Sequence, residues 1–357
     1  MKTSFKLCLS LSIVSLALAS GCQKSKIQNS VNREPSLPSQ PYAYNAVSDE
    51  IATLGRVLFY EVQLSANNTV SCGTCHIQAL GFSDGKQFSA GLADRHTSRN
   101  TPGITSESQN FGLFWDSRAS DFEDLVLRPV TNHTEMGILD INTIPDKLKN
   151  LPYYSKLFDE AFGSSEITVD KIRQSMAAFL SALTRPQHSK FEQGRSSSNS
   201  NLNAMELMGM EIFTNKGKCS QCHTLSSFGW GDAANIGLEL DYTDKGMGAI
   251  ENADGTINEF AEGMFRIPSL FNIELTAPYM HDGRFRTLED VVEHYNSGIK
   301  NHKNLDWRLR DFTNNGSGNP QSLGLNDMEK KSLVAFLKTL TDWDYVNDPR
   351  FNNPFIH

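Results

Sequence analysis

Four cysteines and two histidines carry the most specific chemistry in this chain. They stand as Cys72-Gly73-Thr74-Cys75-His76 and Cys219-Ser220-Gln221-Cys222-His223. C-x-x-C-H is the attachment signature of a c-type haem. Two thiols at this spacing reach the two vinyl groups of one porphyrin, and the His that follows lies under the iron as its proximal ligand. Two C-x-x-C pairs also suit a zinc cluster held by four thiolates, and a single pair suits a redox dithiol. Two copies, each followed directly by His, favour two covalent haems with His76 and His223 as iron ligands. The remaining cysteines, Cys8 and Cys22, lie near the N-terminus.

The motifs start at positions 72 and 219, so each has room for its own cytochrome c-like helical domain. The patterning around them is helical. Ile51, Leu54, Val57 and Leu58 mark one apolar face before the first motif. Ile172, Met176, Phe179, Leu180 and Leu183 mark a helix closing the first half. Asn203-x-x-Glu206 reads as a capping box opening the helix before the second motif. Thr287-x-x-Asp290 and Asn326-x-x-Glu329 open two more, the last carrying Leu333, Phe336, Leu337 and Leu340 on one face. There is no run of alternating strands. The expected fold class is all-α: two cytochrome c-like domains with long loops, over residues 46–195 and 196–357. The Ser- and Asn-rich stretch from Gln193 to Leu202 is the expected linker.

The chain has 357 residues and a formal charge of −8, with 39% hydrophobic and 21% charged residues. That composition belongs to a folded globular body. The mild acidity argues against a nucleic-acid partner, which calls for a basic patch. The single long apolar stretch, Leu7 to Ala19 after Lys2 and Lys6, reads as a signal and not as a spanning helix. It ends in Ala19-Ser20-Gly21-Cys22, similar to a bacterial lipoprotein signal over residues 1–21 with Cys22 as the lipidated residue, although Leu18 sits one position early. An ordinary cleaved signal is the alternative. Residues 22–45 are rich in Ser, Asn, Gln and Pro and read as a flexible tether. The expectation is a periplasmic protein whose membrane contact is through a lipid anchor only.

Beyond the haem motifs, an ordered set of segments resembles the bacterial dihaem cytochrome c peroxidase and MauG superfamily along nearly all the mature length. It comprises Leu54-Gly55-Arg56-Val57-Leu58-Phe59, Leu64-Ser65, Gly81-Phe82-Ser83-Asp84-Gly85, Arg99-Asn100-Thr101-Pro102, Phe114-Trp115-Asp116 and Glu135-Met136-Gly137. In the second half it continues with Arg266-Ile267-Pro268-Ser269-Leu270 and Thr276-Ala277-Pro278-Tyr279-Met280-His281-Asp282-Gly283. The resemblance implies two facing cytochrome c-like domains with a calcium ion between them, a peroxide-reactive haem in the first and an electron-transfer haem in the second. It implies that Trp115 passes electrons between the haems and that Glu135 is the acid beside the peroxide haem. Peroxide cleavage needs a proton moved from one oxygen to the other, and a carboxyl with a pKa raised by burial suits that task. Asn100 matches the calcium side-chain ligand, and Thr276 and Pro278 the residues whose carbonyls complete it; oxygen ligation suits Ca²⁺.

The sixth iron ligands divide the family, because an open iron binds peroxide and a closed one carries electrons. Where some members place a His that closes the first haem, this chain has Leu92, which cannot ligate. His96 follows in the same loop and reads as a solvated residue. At the second haem the family Met position is held by Tyr295, as in MauG-type members, with Met280 and Met264 as alternative ligands. Leu125 stands where the family often has a Gln near the peroxide haem, so a hydrogen-bond donor is lost there.

The resulting expectation is an exported dihaem peroxidase that reduces hydrogen peroxide. Its electrons come from a small cytochrome c or a cupredoxin, or, in the MauG manner, from a residue such as Trp in a partner protein. The rivals are a non-catalytic dihaem electron-transfer cytochrome, which needs both irons closed, and a structural or sensory haem lipoprotein. Family members often pair as homodimers, and no interface is diagnostic here.

Overall fold

The computed structural model describes residues 34–42, 48–107, 112–229, 232–252, 254–313 and 318–356. The expected signal segment, Cys22 and the start of the tether lie outside the described residues.

Each half is built on one pair of packed helices. In the first half these are α1 (Asp49–Phe59) and α7 (Val169–Ala182). Ser48 caps α1 by accepting from the Ile51 amide, and Asp49 and Glu50 in the first turn complement the helix dipole. Leu54, Val57 and Leu58 are fully buried against Ile172, Met176 and Phe179 of the same core. Between the pair run α2 (Cys72–Cys75), α3 (Phe122–Leu125), α4 (Arg128–Thr131), α5 (Ile144–Lys149) and α6 (Pro152–Phe162). In the second half the pair is α9 (Ala204–Thr214) and α11 (Asp327–Lys338), with α8 (Lys190–Gly194) at the junction and α10 (Leu288–Glu293) between them. The three capping boxes expected at Asn203, Thr287 and Asn326 all form.

The two helix pairs repeat one contact. Gly55 of α1 lies against the Ser175 carbonyl and the Phe179 Cβ, and Gly209 of α9 lies against the Ser332 carbonyl and the Phe336 Cβ. A side chain at either glycine would collide with backbone, so Gly sets how closely the helices approach. Above each contact two rings meet in the same way. Phe59 and Phe179 have centroids 5.3 Å apart at 61°, and Phe213 and Phe336 repeat both values.

Three features depart from the sequence expectation. Strand is present among the described residues, as two antiparallel pairs of two residues each: β1 (Ala233–Ala234) with β2 (Phe265–Arg266), and β3 (Arg310–Asp311) with β4 (Asn319–Pro320). The expected linker at 193–202 is not a free tether: Gln193 and Gly194 end α8, and Phe191 and Leu202 belong to the second core. The chain also returns after α11, and Tyr345, Val346, Phe351 and Phe355 complete the first core. A division at 195/196 therefore assigns this tail to the wrong core. Among the described residues no helix is long and apolar enough to cross a membrane.

Candidate functional site

Both C-x-x-C-H segments close with the same turn. The His76 amide donates to the Cys72 carbonyl at 2.9 Å, and the His223 amide to the Cys219 carbonyl at 2.8 Å. Each imidazole is then aimed by a second bond. His76 Nδ1 lies 2.7 Å from the Phe82 carbonyl and His223 Nδ1 lies 2.9 Å from that of Phe228. A carbonyl only accepts, so Nδ1 carries the hydrogen in both and Nε2 keeps its lone pair for a metal. Burial lowers both imidazole pKa values, His223 to about 4, which keeps them in the neutral form that ligates.

The four cysteines are free of disulfides. Burial raises Cys72 and Cys219 to about 12 and Cys75 and Cys222 to about 11. The two pairs sit in separate cores. Among the described residues the one cluster with metal-binding reach is His188, Asp342 and Asp344, which contains no cysteine. The four-thiolate zinc alternative is therefore set aside, and the donor set fits covalent haem.

In the second half Cys219, Cys222 and His223 open into a cleft of about 1580 Å³, counting its mouth. Its walls are mostly apolar, as a porphyrin face requires. Leu288, Val291, Val292 and Tyr295 all line it. The expectation of one continuous α-helical face is corrected in one respect. α10 stops at Glu293, and His294–Gly298 form a π-turn, a local widening that recurs at functional sites. Tyr295 still faces the cleft, while His294 is buried elsewhere, its Nε2 3.0 Å from the Ile236 carbonyl. Burial first, then the nearby Cys222 and Cys219, push the Tyr295 phenol well above its ordinary pKa. Met280 lines the same cleft; Met264 does not.

Glu135 stands near the first motif. Glu135 is half-buried, and burial raises its pKa while the Arg118 guanidinium pulls it down. Its charge is felt by both Cys72 and Cys75, so it lies beside the motif. The Leu92 amide holds its turn by donating to the Thr134 and Glu135 carbonyls, each at 2.9 Å. His96 is exposed in the same loop. Leu125 ends α3 and packs partly on the first core.

The cleft of the second half extends to residues of the first. Asn100, Trp115, Thr276 and Pro278 all line it. Trp115 is pinned at both ends: its indole N–H donates to the Asn100 carbonyl at 2.8 Å, and its carbonyl accepts from the Arg266 amide at 2.8 Å. The Asn100 side-chain NH2 donates to the Lys86 carbonyl at 2.7 Å. Asn100, Thr276 and Pro278 line this one cleft and each can offer an oxygen, the donor type that suits Ca²⁺.

Sequence reasoning assigned no role to the charges that fasten the halves together. Arg266 and Glu107 form a buried ion pair at 2.5 Å, both almost fully enclosed. Arg99 bridges Asp116, beside Trp115, to Asp244 of the second half. Arg118 pairs with Asp116 at 2.8 Å and covers the Phe114 ring. Arg99 and Arg266 both stand within the family segments, and the charge of Arg266 at the head of a mostly apolar one was the available signal.

Each helical half holds one neutral His aimed by a backbone carbonyl, and Trp115 is fastened between the halves. Residues 49–200 match the family described as Di-haem cytochrome c peroxidase. A cytochrome c551 peroxidase of Nitrosomonas europaea is 32% identical over 349 residues, 98% of this chain and 94% of its own. The methylamine utilization protein MauG of Methylorubrum extorquens is 31% identical over 309 residues, 86% of this chain and 82% of its own. Among solved structures, a MauG-like protein associated with microbial copper homeostasis aligns with a TM-score of 0.75 at 30% identity, covering 90% of this chain and 99% of its own. The chain belongs to the di-haem cytochrome c peroxidase family and is a peroxidase-type oxidoreductase.

Proposed function

We propose that this chain is an exported peroxidase of MauG-like character, with two covalent c-type haems attached at Cys72 and Cys75 and at Cys219 and Cys222. When bound, the haems supply the redox chemistry of hydrogen peroxide reduction. His76 and His223 hold the irons through Nε2, each aimed by its carbonyl partner. Glu135 takes a proton from one peroxide oxygen and returns it to the other. Trp115, fixed by Asn100 and Arg266, carries electrons between the halves. Tyr295 would hold the second iron through its oxygen, and an anionic ligand would lower the potential and favour the oxidised state. Asn100, Thr276 and Pro278, with water, hold one Ca²⁺.

The observation that carries this reading is the asymmetry of the two sites. Tyr295 shares the second cleft with His223, whereas the first site has Leu92 at the closing position and an exposed His96. A haem at the first motif would be open and one at the second closed, which would separate a peroxidase from an electron-transfer cytochrome. Electrons come from a small cytochrome c or cupredoxin, or from a Trp of a partner protein that is thereby modified; Tyr295 favours the latter. The N-terminal pattern suits a periplasmic protein anchored through lipid on Cys22, and a homodimer suits the family.

Visible and EPR spectra of the resting oxidised protein, before and after one equivalent of peroxide, test the reading. The expected result is one high-spin and one low-spin haem and an immediate reaction. Two low-spin haems, with reaction only after one-electron reduction, would overturn it and point to His96.

A further inference from the structure

The first core holds a carboxylate that two phenols share. Glu61 is 3% exposed, Tyr154 fully buried and Tyr153 nearly so. Glu61 Oε1 caps the following turn by accepting from the Gln63 amide at 2.8 Å. The cap needs only that oxygen. Oε2 faces the other way and accepts from the Tyr153 hydroxyl at 2.9 Å and the Tyr154 hydroxyl at 3.0 Å. The two rings lie 4.8 Å apart between centroids. Other described tyrosines use weaker acceptors: Tyr60 and Tyr279 donate to carbonyls and Tyr242 to an amide oxygen.

The acceptor of this pair, Glu61, follows in sequence two aromatic side chains that reach the first haem motif. The Phe59 ring lies 6.3 Å from the His76 imidazole and 5.0 Å from the Tyr60 ring. Tyr60 lies directly on Gly73, inside the motif, and Glu61 follows it in sequence. A phenol is hard to oxidise unless its proton leaves with the electron, because its pKa is near 10. A carboxylate at hydrogen-bond distance supplies that proton acceptor.

We propose that Tyr153 and Tyr154, with Glu61 as proton acceptor, form an internal electron-donor site that consumes peroxide-derived oxidising equivalents when no external donor is present. The phenols react in turn: each gives one electron toward the peroxide-reactive centre and its hydroxyl proton to Glu61, which releases the first proton toward the forming water before it accepts the second, and each phenol is left as a neutral tyrosyl radical. Two tyrosines supply two electrons and two protons, which with one hydrogen peroxide balance to two waters and two tyrosyl radicals. The pair thus matches one turnover, and it diverts damage away from Glu135 and the haem attachments. The proposal rests on the peroxidase activity and not on the identity of the second-haem ligand.

The test treats the haem-loaded full-length protein with one equivalent of peroxide in the absence of donor, followed by freeze-quench EPR and peptide mapping. Wild-type protein grown with ring-deuterated tyrosine is expected to show a radical signal with collapsed hyperfine structure, and oxidised or cross-linked product on the peptide carrying residues 153 and 154. Combined Tyr153→Phe and Tyr154→Phe is expected to lower the radical yield at least tenfold with both haems retained. Glu61→Gln is expected to slow radical formation by a similar factor, with Glu61→Asp restoring part of it. A signal unchanged by deuterated tyrosine, or oxidation mapped to other residues in wild type, overturns the proposal even if the double variant fails to fold. Absence of any optical change with peroxide would instead count against the peroxidase activity itself.

Discussion

Glu135 is poised between two influences, and each has a measurable consequence. Removing the carboxylate by Glu135→Gln should keep haem content and slow peroxide turnover by about 10²–10⁴-fold, the usual effect of losing a proton-transferring group. Burial raises the Glu135 pKa and Arg118 lowers it. The group must be ionised to accept the first proton, so activity falls as the pH drops through its pKa. Arg118→Gln removes a stabilising positive charge, raises that pKa further and should move the acid limb of kcat/KM to higher pH. A limb that stays or moves down in a pH–rate profile would remove Arg118 from this role. At the second site, Tyr295→Met should raise the haem potential and Tyr295→Phe should alter its low-spin ferric EPR signal. Unchanged values in a redox titration and spectrum would return Met280, which lines the same cleft, as the ligand.

The helix pairs make the two halves separable in their response to mutation. Gly55→Ala pushes a methyl into the α7 backbone and Gly209→Ala does the same to α11; overpacking of this kind costs roughly 1–3 kcal/mol. Each variant should lower the thermal midpoint of its own half, read by the absorbance of the haem in that half. Cys72→Ala with Cys75→Ala should leave one covalent haem after acid extraction, which assigns the signals. Much at this scale was legible in the sequence, because apolar faces and capping boxes are local patterns. The faces of α1, α7 and α11 and the caps at Asn203, Thr287 and Asn326 follow from residues three or four apart. The π-turn after Glu293 and the Arg266–Glu107 pair were not legible. The first departs from regular spacing, and the second joins residues that only the fold brings together.

Across the whole molecule, the two ends of the described chain are fastened to the first half by side chains that reach backbone. Arg56 is buried and donates to the Pro349 carbonyl at 2.9 Å and to those of Arg350 and Ser36. Tyr60 donates to the Phe351 carbonyl at 2.7 Å, and Gln78 to the Tyr345 and Asp348 carbonyls at 3.1 and 2.9 Å. Arg56→Met strands buried carbonyls and removes charge-assisted bonds worth about 1.5–3 kcal/mol each. Deleting residues 345–356 should loosen the first haem while the second keeps its spectrum; equal loss at both sites in a thermal melt would contradict this arrangement. The returning tail also orders the making of the protein. A chain synthesised from its N-terminus presents Cys72 and Cys75 long before Cys219 and Cys222, yet Tyr345, Val346, Phe351 and Phe355 of the core around the earlier pair follow both motifs. The half whose motif is made first is thus completed by residues made after the second motif, so a chain truncated before Tyr345 should keep its second core and lack part of its first.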